Sequence, residues 1–577
     1  MQPFTKDQLE VLAQLVLLAP LLALAVPLVE RAHGRQFEPR FDLTGWSTRL
    51  LSLVSLICSI LLATGPADQF PIDFSFLGVV YFYLDALSVY FVLLVNLVAY
   101  FASWYTVNFL KHDRKYSPKM HDPTSFHIFF NAFHLTMLIV PMVDNLVVLW
   151  MAIELTTLTS TLLVRYRRRR TTLEATWKYV IITTAGIVFA LFGTILLAVA
   201  IGDETCKEIA TLRGHAFREC GELESLRGRD RVDLMAWSEL GQRSVARKLE
   251  PHLVLLSFVF VLVGYGTKAG FAPMHTWLPD GHGEAPSPVS ALLSGVLLKS
   301  ALFAILRFYT ITNLNWGSAE FTSVILLGSG LLSLFLATPF ILKRNKFKRI
   351  LAYHSLEHMG IIVFGLGIGG PVALFGALLH ALNHALTKAF MFLTFSNVRR
   401  EYAQQQGRAE PDEAQMQGVL PGMPVSGTML LYGGLGLVGS PPFNIFLSEL
   451  LILWAAFQLA TDPSSGQQYL PPAFYAGAVA LFLVSVTLIF AGLVQHLARI
   501  LLGRPPGPAG EESNLARPER PKYAVQERLA EVLPLIALAV VIVVFGIWIP
   551  TWPIDFPELL RQSVSVLQHG ASEVSSP

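Results

Sequence analysis

Three cysteines in 577 residues, with no CxxC pair among them, leave nothing to hold an iron–sulfur cluster or a structural zinc. Charge is scarce as well: 15% of residues are Asp, Glu, Lys or Arg against 53% hydrophobic, and the formal net charge is only +2. The ~10-residue alternating segments of a transmembrane β-barrel are missing. No nucleotide motif and no catalytic constellation can be found, so neither a cofactor nor a resident metal is expected, and no nucleic-acid partner. The polar stretches 404–420 and 503–528, rich in Pro, Gly, Gln and charge, read as linkers rather than domains. A cleavable leader is not expected either, because the first apolar run is a full-length span with Lys6 as the only basic residue ahead of it.

What fills the chain is a succession of apolar runs near the ~20 residues that cross hydrocarbon. Fourteen are read, at about 9–29, 47–65, 82–110, 125–142, 145–164, 177–201, 251–271, 287–311, 320–342, 350–369, 371–398, 425–458, 472–502 and 531–550. The fold class is therefore an all-α polytopic membrane protein. Basic loops follow odd-numbered spans: Arg165 and Arg167 to Arg170, Lys343 to Arg349, and Arg504 to Arg528 are examples. Loops 66–81, 143–144 and 461–471 have no Lys or Arg. The positive-inside rule then puts odd loops in the cytoplasm and both termini outside. The long mixed-charge loop 202–250 would face outward, where Cys206 and Cys220 could pair in a disulfide. Cys58, inside a span, reads as a small buried hydrophobe.

Two runs are interrupted. GYGTKAGFAPMHTWLP carries Gly270, Pro273 and Pro279, and GGLGLVGSPPFNIFLSE carries Pro441 and Pro442. Proline has no amide proton and glycine loosens the turn, so both helices, the seventh and the twelfth, should break. Broken helices in corresponding halves point to a transport site at a repeat interface.

Ionisable residues inside spans complete the pattern, since each costs at least ~3 kcal/mol on insertion scales unless it has a role. Glu154 and Lys268 read as a natural ion pair, and Lys299 lies well inside its apolar run. Lys268, nearer a helix end, is the better candidate for snorkelling. His380, His384 and Lys388 recur at i, i+4 and i+8, one stripe on one helix. Glu449 follows the second break, and Lys178 and His134 suggest a secondary proton path. His127 shares a helix face with His134. His354, Glu357 and His358, close to a basic loop, read as interfacial. Amines, imidazoles and carboxylates in series can hand a proton along bridging waters. The same histidine spacings also suit a metal, which Lys388 beside them disfavours, or a haem, which would need facing histidines on two helices at matching depth.

These residues resemble a known family. WMAIELTTLTS, GTKAGFAPMHTWLPDGHGEAPSPVSALLS, KRILAYHSLEHMG, LLHALNHALTKAFMF and GSPPFNIFLSE look like the antiporter-like subunits shared by respiratory complex I, Mrp cation antiporters and membrane-bound hydrogenases. SPPFNIFLSE and EATWKYVII favour the hydrogenase-4 component F branch, from which Lys299 is a departure. The resemblance implies two inverted five-helix repeats: spans 1–3 in residues 1–124, a first repeat in 125–311, a second in 320–502, a linker at 503–530, and span 14 with a polar tail in 531–577. It implies proton translocation through Glu154, Lys268, Lys299, His380, His384, Lys388 and Glu449, with redox chemistry in partner subunits. Alternatives within the resemblance are a stand-alone Na+/H+ antiporter and an energy-coupling subunit for inorganic-carbon uptake. Some members carry a long lateral helix after the last span, and none is expected after residue 550.

Overall fold

The computed structural model describes residues 4–32, 42–66, 69–76, 80–116, 122–167, 169–214, 220, 233–343, 346–405, 411, 413, 416–462, 468–503, 527–552 and 554–570. Apolar runs without internal breakers become helices, because only a helix satisfies every backbone group within one segment in lipid. They are α1 (Lys6–Ala32), α2 (Leu43–Ala63), α3 (Ala86–Tyr116), α4 (Pro123–Ile139), α5 (Leu146–Val164) and α6 (Arg170–Val199). After the loop come α7a (Pro251–Ala269) and α7b (Trp277–Glu284), then α8 (Ser287–Trp316), whose residues Leu293–Leu297 form a π-helical turn. The second half holds α9 (Glu320–Leu342), α10 (Phe347–Ile368), α11 (Gly370–Gln405), α12a (Pro424–Leu437), α12b (Asn444–Thr461), α13 (Pro472–Leu502) and α14 (Leu529–Ile547). Twelve helices among the described residues are long and apolar enough to cross a membrane. Of the remaining runs, α4 has 17 residues, and α11 carries His380, Asn383, His384 and Lys388 in its middle.

Span 12, read over 425–458 as a run with a break, is two helices. The tail is not merely polar: α15 (Phe556–His569) is a short amphipathic helix with Leu559, Leu560, Val564 and Leu567 buried against α3, α8 and α11. A small hairpin, β1 (Ile72–Phe76) with β2 (Val80–Leu84), also went unread; its antiparallel register pairs Ile72 with Leu84.

The connections alternate between two faces. On the even face, Tyr83 N donates to Met142 O, Asn145 bridges Ala236, and Asn315 Nδ2 donates to Ala246 O. On the odd face, Thr171 meets Glu284, Lys348 Nζ donates to Ala285 O, Arg349 pairs with Asp280, and Arg400 pairs with Glu531. The even-face loop is closed by a disulfide between Cys206 and Cys220.

The apolar stretches of α8 and α10 are enclosed by protein, while α6, α13 and α14 bury only one side. Trp177, Ile181, Val188, Leu483 and Val540 face outward from the latter, as lipid-facing side chains should. The centre of the bundle is thus where the ionisable residues of α8, α10 and α11 meet.

A buried line of lysine and histidine beside two broken helices

Several backbone groups exposed by the first break find partners within the protein. Helix α7a ends at Gly270, whose φ of 79° is open to glycine at little strain, and a Cβ there would lie 2.4 Å from Leu278. Gly270 N and Trp277 Nε1 both donate to Thr267 O, Phe271 N to Gly266 O, and Ala272 N to Ser333 Oγ. Pro273 lies in the gap, but Pro279 sits inside α7b, whose first turn tolerates a residue with no amide proton. The second break, between Leu437 and Asn444, holds Pro441 and Pro442. A Cβ on Gly439 (φ 67°) would lie 2.4 Å from Glu449 Oε2, so the glycine leaves room for that carboxylate. Asn383 and Asn444 exchange amide-to-carbonyl bonds at 2.7 and 3.2 Å, fastening α11 to the start of α12b.

Lys268 is fully buried, so it does not snorkel. Nor does it touch Glu154. Its Nζ donates to Thr157 Oγ1, which in turn donates to Glu154 Oε2 at 3.1 Å; Thr184 Oγ1 donates to Glu154 Oε1 at 3.1 Å. A hydroxyl one helical turn from Glu154 thus separates the two charges, a detail that pairing of residue types cannot reveal. Tyr179 flanks the ammonium, its ring centroid 5.7 Å away and its hydroxyl 2.7 Å from Ser160 Oγ. Glu154 itself borders a groove between α5 and α6 lined by Trp150, Met151, Leu158 and Trp177.

Lys299 follows the π turn. The ammonium nitrogen lies 2.9 Å from the carbonyl of Ser294 and meets His384 Nδ1 on α11. Local π geometry inside a helix often marks a functional position, and here it brings an acceptor to the lysine. The His384 ring lies 4.8 Å from His358 between centroids. His358 Nδ1 is 3.0 Å from His380 Nε2, and His380 Nδ1 is 3.0 Å from Ser448 Oγ, next to Glu449. Lys388 donates to Leu351 O, and His354 Nδ1 lies 2.7 Å from Glu357 Oε2. All of these side chains are buried.

His354, Glu357 and His358 are therefore not interfacial. Although α10 starts at a basic loop, the helix is enclosed from its first turn, and their faces turn to α11 rather than to the surface. The spacing of His358 from Glu357 and His354 held the signal, but only the α10–α11 contact shows which neighbours they have. His282, in the DGHGEAP run, is another residue that sequence reasoning passed over. It is fully buried, its ring is 5.8 Å from Trp277, and Lys299, Lys348 and Lys388 act on it electrostatically.

The secondary path is not assembled. Lys178 is about half exposed and pairs with Glu174 at 2.6 Å and with Asp280 at 3.2 Å, an odd-face ion network instead of a buried relay. His134 is buried, but its Nε2 is 2.9 Å from Asn96 Oδ1, which also accepts from Ser55, in a separate cluster with α2 and α3. His127 is likewise buried.

A buried ion pair went unread. Arg307 near the end of α8 donates twice to Asp85, both bonds at 2.7 Å, and once to Ser88 Oγ at 2.8 Å. Its guanidinium lies 3.5 Å from the Trp237 ring centroid, and Trp237 Nε1 donates to Val143 O. The pair pins the even-face loop onto the bundle. Beside it Asp144 accepts from Ser238 N and Oγ; burial outweighs these bonds and pushes its carboxyl up to about 7, with Asp233 and Glu239 adding repulsion.

Two groups offer ligand-type atoms within 4.8 Å of one another: His354 with Glu357 and His358, and His358 with His380 and Glu449. In both, at least one ring nitrogen of each histidine is already hydrogen-bonded to a neighbour, and the nearby amines of Lys299 and Lys388 oppose a further cation.

Broken helices around a buried series of amines and imidazoles define a multi-pass membrane protein with an ionisable core. The chain belongs to the NADH:quinone oxidoreductase/Mrp antiporter transmembrane family, whose model matches residues 143–463. It is 32% identical over 481 residues to the hydrogenase-4 component F homolog of Methylacidiphilum infernorum, covering 83% of this chain and 89% of that protein. It is 30% identical over 458 residues to a Na(+)/H(+) antiporter subunit of Alkalihalophilus pseudofirmus, covering 75% of this chain and 50% of that relative. Among solved structures, a chain of the membrane-bound sulfane sulfur reductase, an archaeal respiratory membrane complex, superposes with a TM-score of 0.72 at 20% identity, covering 98% of this chain and 99% of that one.

Proposed function

We propose that this chain carries protons across a bacterial or archaeal cytoplasmic membrane as one subunit of a complex I-related, hydrogenase-4-type assembly. The observation that carries the reading is the buried line Lys299–His384–His358–His380, ending at Ser448 and Glu449. A protonated Lys299 donates to His384 Nδ1, and the imidazole can release a proton from Nε2. His384 Nε2 and His358 Nε2 are buried without a protein partner, the positions at which water would extend a relay. Lysine is suited to this duty because burial disfavours its charged form, whereas arginine stays protonated. In this reading residues 125–311 and 320–502 act as two inverted half-channels. Glu154, Thr157 and Lys268 serve the first, and odd loops face the cytoplasm with the Cys206–Cys220 loop outside. Driving chemistry belongs to partner membrane and redox subunits, consistent with the names of the relatives.

The second reading, a Na+/H+ antiporter component, is favoured by the relative of that name. The two readings separate in inverted vesicles from cells expressing the full complex. Acidification of the lumen that persists in sodium-free buffer and disappears with Lys388→Met supports proton translocation. A pH gradient that collapses on sodium addition, in proportion to 22Na+ uptake, overturns it in favour of antiport.

A further inference from the structure

The even face holds a cavity of about 580 Å³ that the proton path does not use. Loops from all along the chain converge on it: Arg243 and Arg247 from the loop before α7a, the α8–α9 turn, the start of α11, the end of α12b, and the end of α15. Arg243, Arg247 and His569 line it, and no Asp or Glu is among its lining residues. Both arginines are exposed at the cavity, and it is their backbone that is fixed. Asn315 Nδ2 donates to Ala246 O at 2.8 Å and to Leu249 O at 3.0 Å, clamping their short segment to the end of α8. The 36-residue α11 opens its N-terminus here, through Gly369 and Gly370 at φ 70°. A helix N-terminus presents unsatisfied amides and partial positive charge. A second, independent feature points the same way: Ser323 lines the cavity, is 1% exposed, and its hydroxyl has no hydrogen-bond partner.

We infer that this cavity is a binding site for a phosphate-bearing anion, either the headgroup of an anionic phospholipid or free phosphate. Guanidinium groups match phosphate oxygens bidentately, a helix N-terminus adds amide donors, and a hydroxyl supplies one more. The remaining wall, with Ile368, Val372 and Leu459, is apolar enough to lie beside a glycerol backbone. The site stands whether or not the proton reading holds.

The test uses the purified full chain in a neutral detergent, stripped of lipid. One arm titrates phosphatidylglycerol and reads bound mass by native mass spectrometry; the other titrates 32P-labelled inorganic phosphate without lipid. One equivalent should bind in at least one arm, and that arm names the source. R243Q/R247Q should weaken it by at least about tenfold, since a hydrogen bond to a charged group is worth roughly 1.5–3 kcal/mol. R243K/R247K, which keeps the charge, should bind more tightly than the glutamine pair. No binding in either arm, undiminished binding by R243Q/R247Q, or equal loss in the lysine and glutamine pairs overturns the proposal.

Discussion

Replacing Thr157 by valine asks whether Glu154 and Lys268 communicate through the hydroxyl between them. The two side chains are nearly the same size, so packing changes little, while Lys268 loses its acceptor and Glu154 loses one of its two threonine donors. A hydrogen bond to a charged group contributes roughly 1.5–3 kcal/mol, and each 1.4 kcal/mol is a factor of ten. Proton uptake by vesicles carrying the full complex should therefore fall between about tenfold and a hundredfold. Thr157→Ser should stay within a fewfold of the parent. The assay is quenching of a pH-sensitive acridine dye, with assembly checked by native gel. Full pumping by Thr157→Val would refute the bridge. Equal loss in the serine variant would show that shape, not the hydroxyl, matters.

Two further outcomes concern the even face. Arg307→Met should strand the Asp85 carboxylate and destabilise the bundle by ~3–5 kcal/mol, with Asp85→Asn added in the same chain recovering part of it; thermal unfolding in detergent measures both. Asp144 has a folded value near 7 against an ordinary 3.8, so the folded state favours its neutral form. Its contribution is present in full below about 4 and is lost as pH rises toward about 7. Quencher access to Trp237 should thus increase across that interval and flatten in Asp144→Asn; no pH dependence in the parent would remove the argument.

The helices and their breaks were legible because they depend on local rules. Runs of apolar residues specify spans, and Gly270 with Pro273, or Gly439 with Pro441, specify the interruptions. Lys299, His380 and His384 stood out because a charge or imidazole in hydrocarbon is conspicuous in one dimension. Partners were not legible. Arg307 and Asp85 are separated by 222 positions, and nothing local in either marks the other. Lys178 looked intramembrane by its place in a run, yet α6 turns it to Asp280 on the odd face. His354, Glu357 and His358 looked interfacial by proximity to basic residues, yet three dimensions enclose them against α11. The amphipathic α15 was missed because its apolar positions are too few for a span, although they alternate at helical spacing.

The central claim is that Lys299 passes protons to His384. Proton flux through the assembled complex in proteoliposomes, compared for the parent, Lys299→Ala and Lys299→Arg, tests it most directly. The account predicts that both variants assemble and both stop pumping, alanine because the donor is gone and arginine because a guanidinium keeps its proton. Sustained pumping by Lys299→Ala would contradict it.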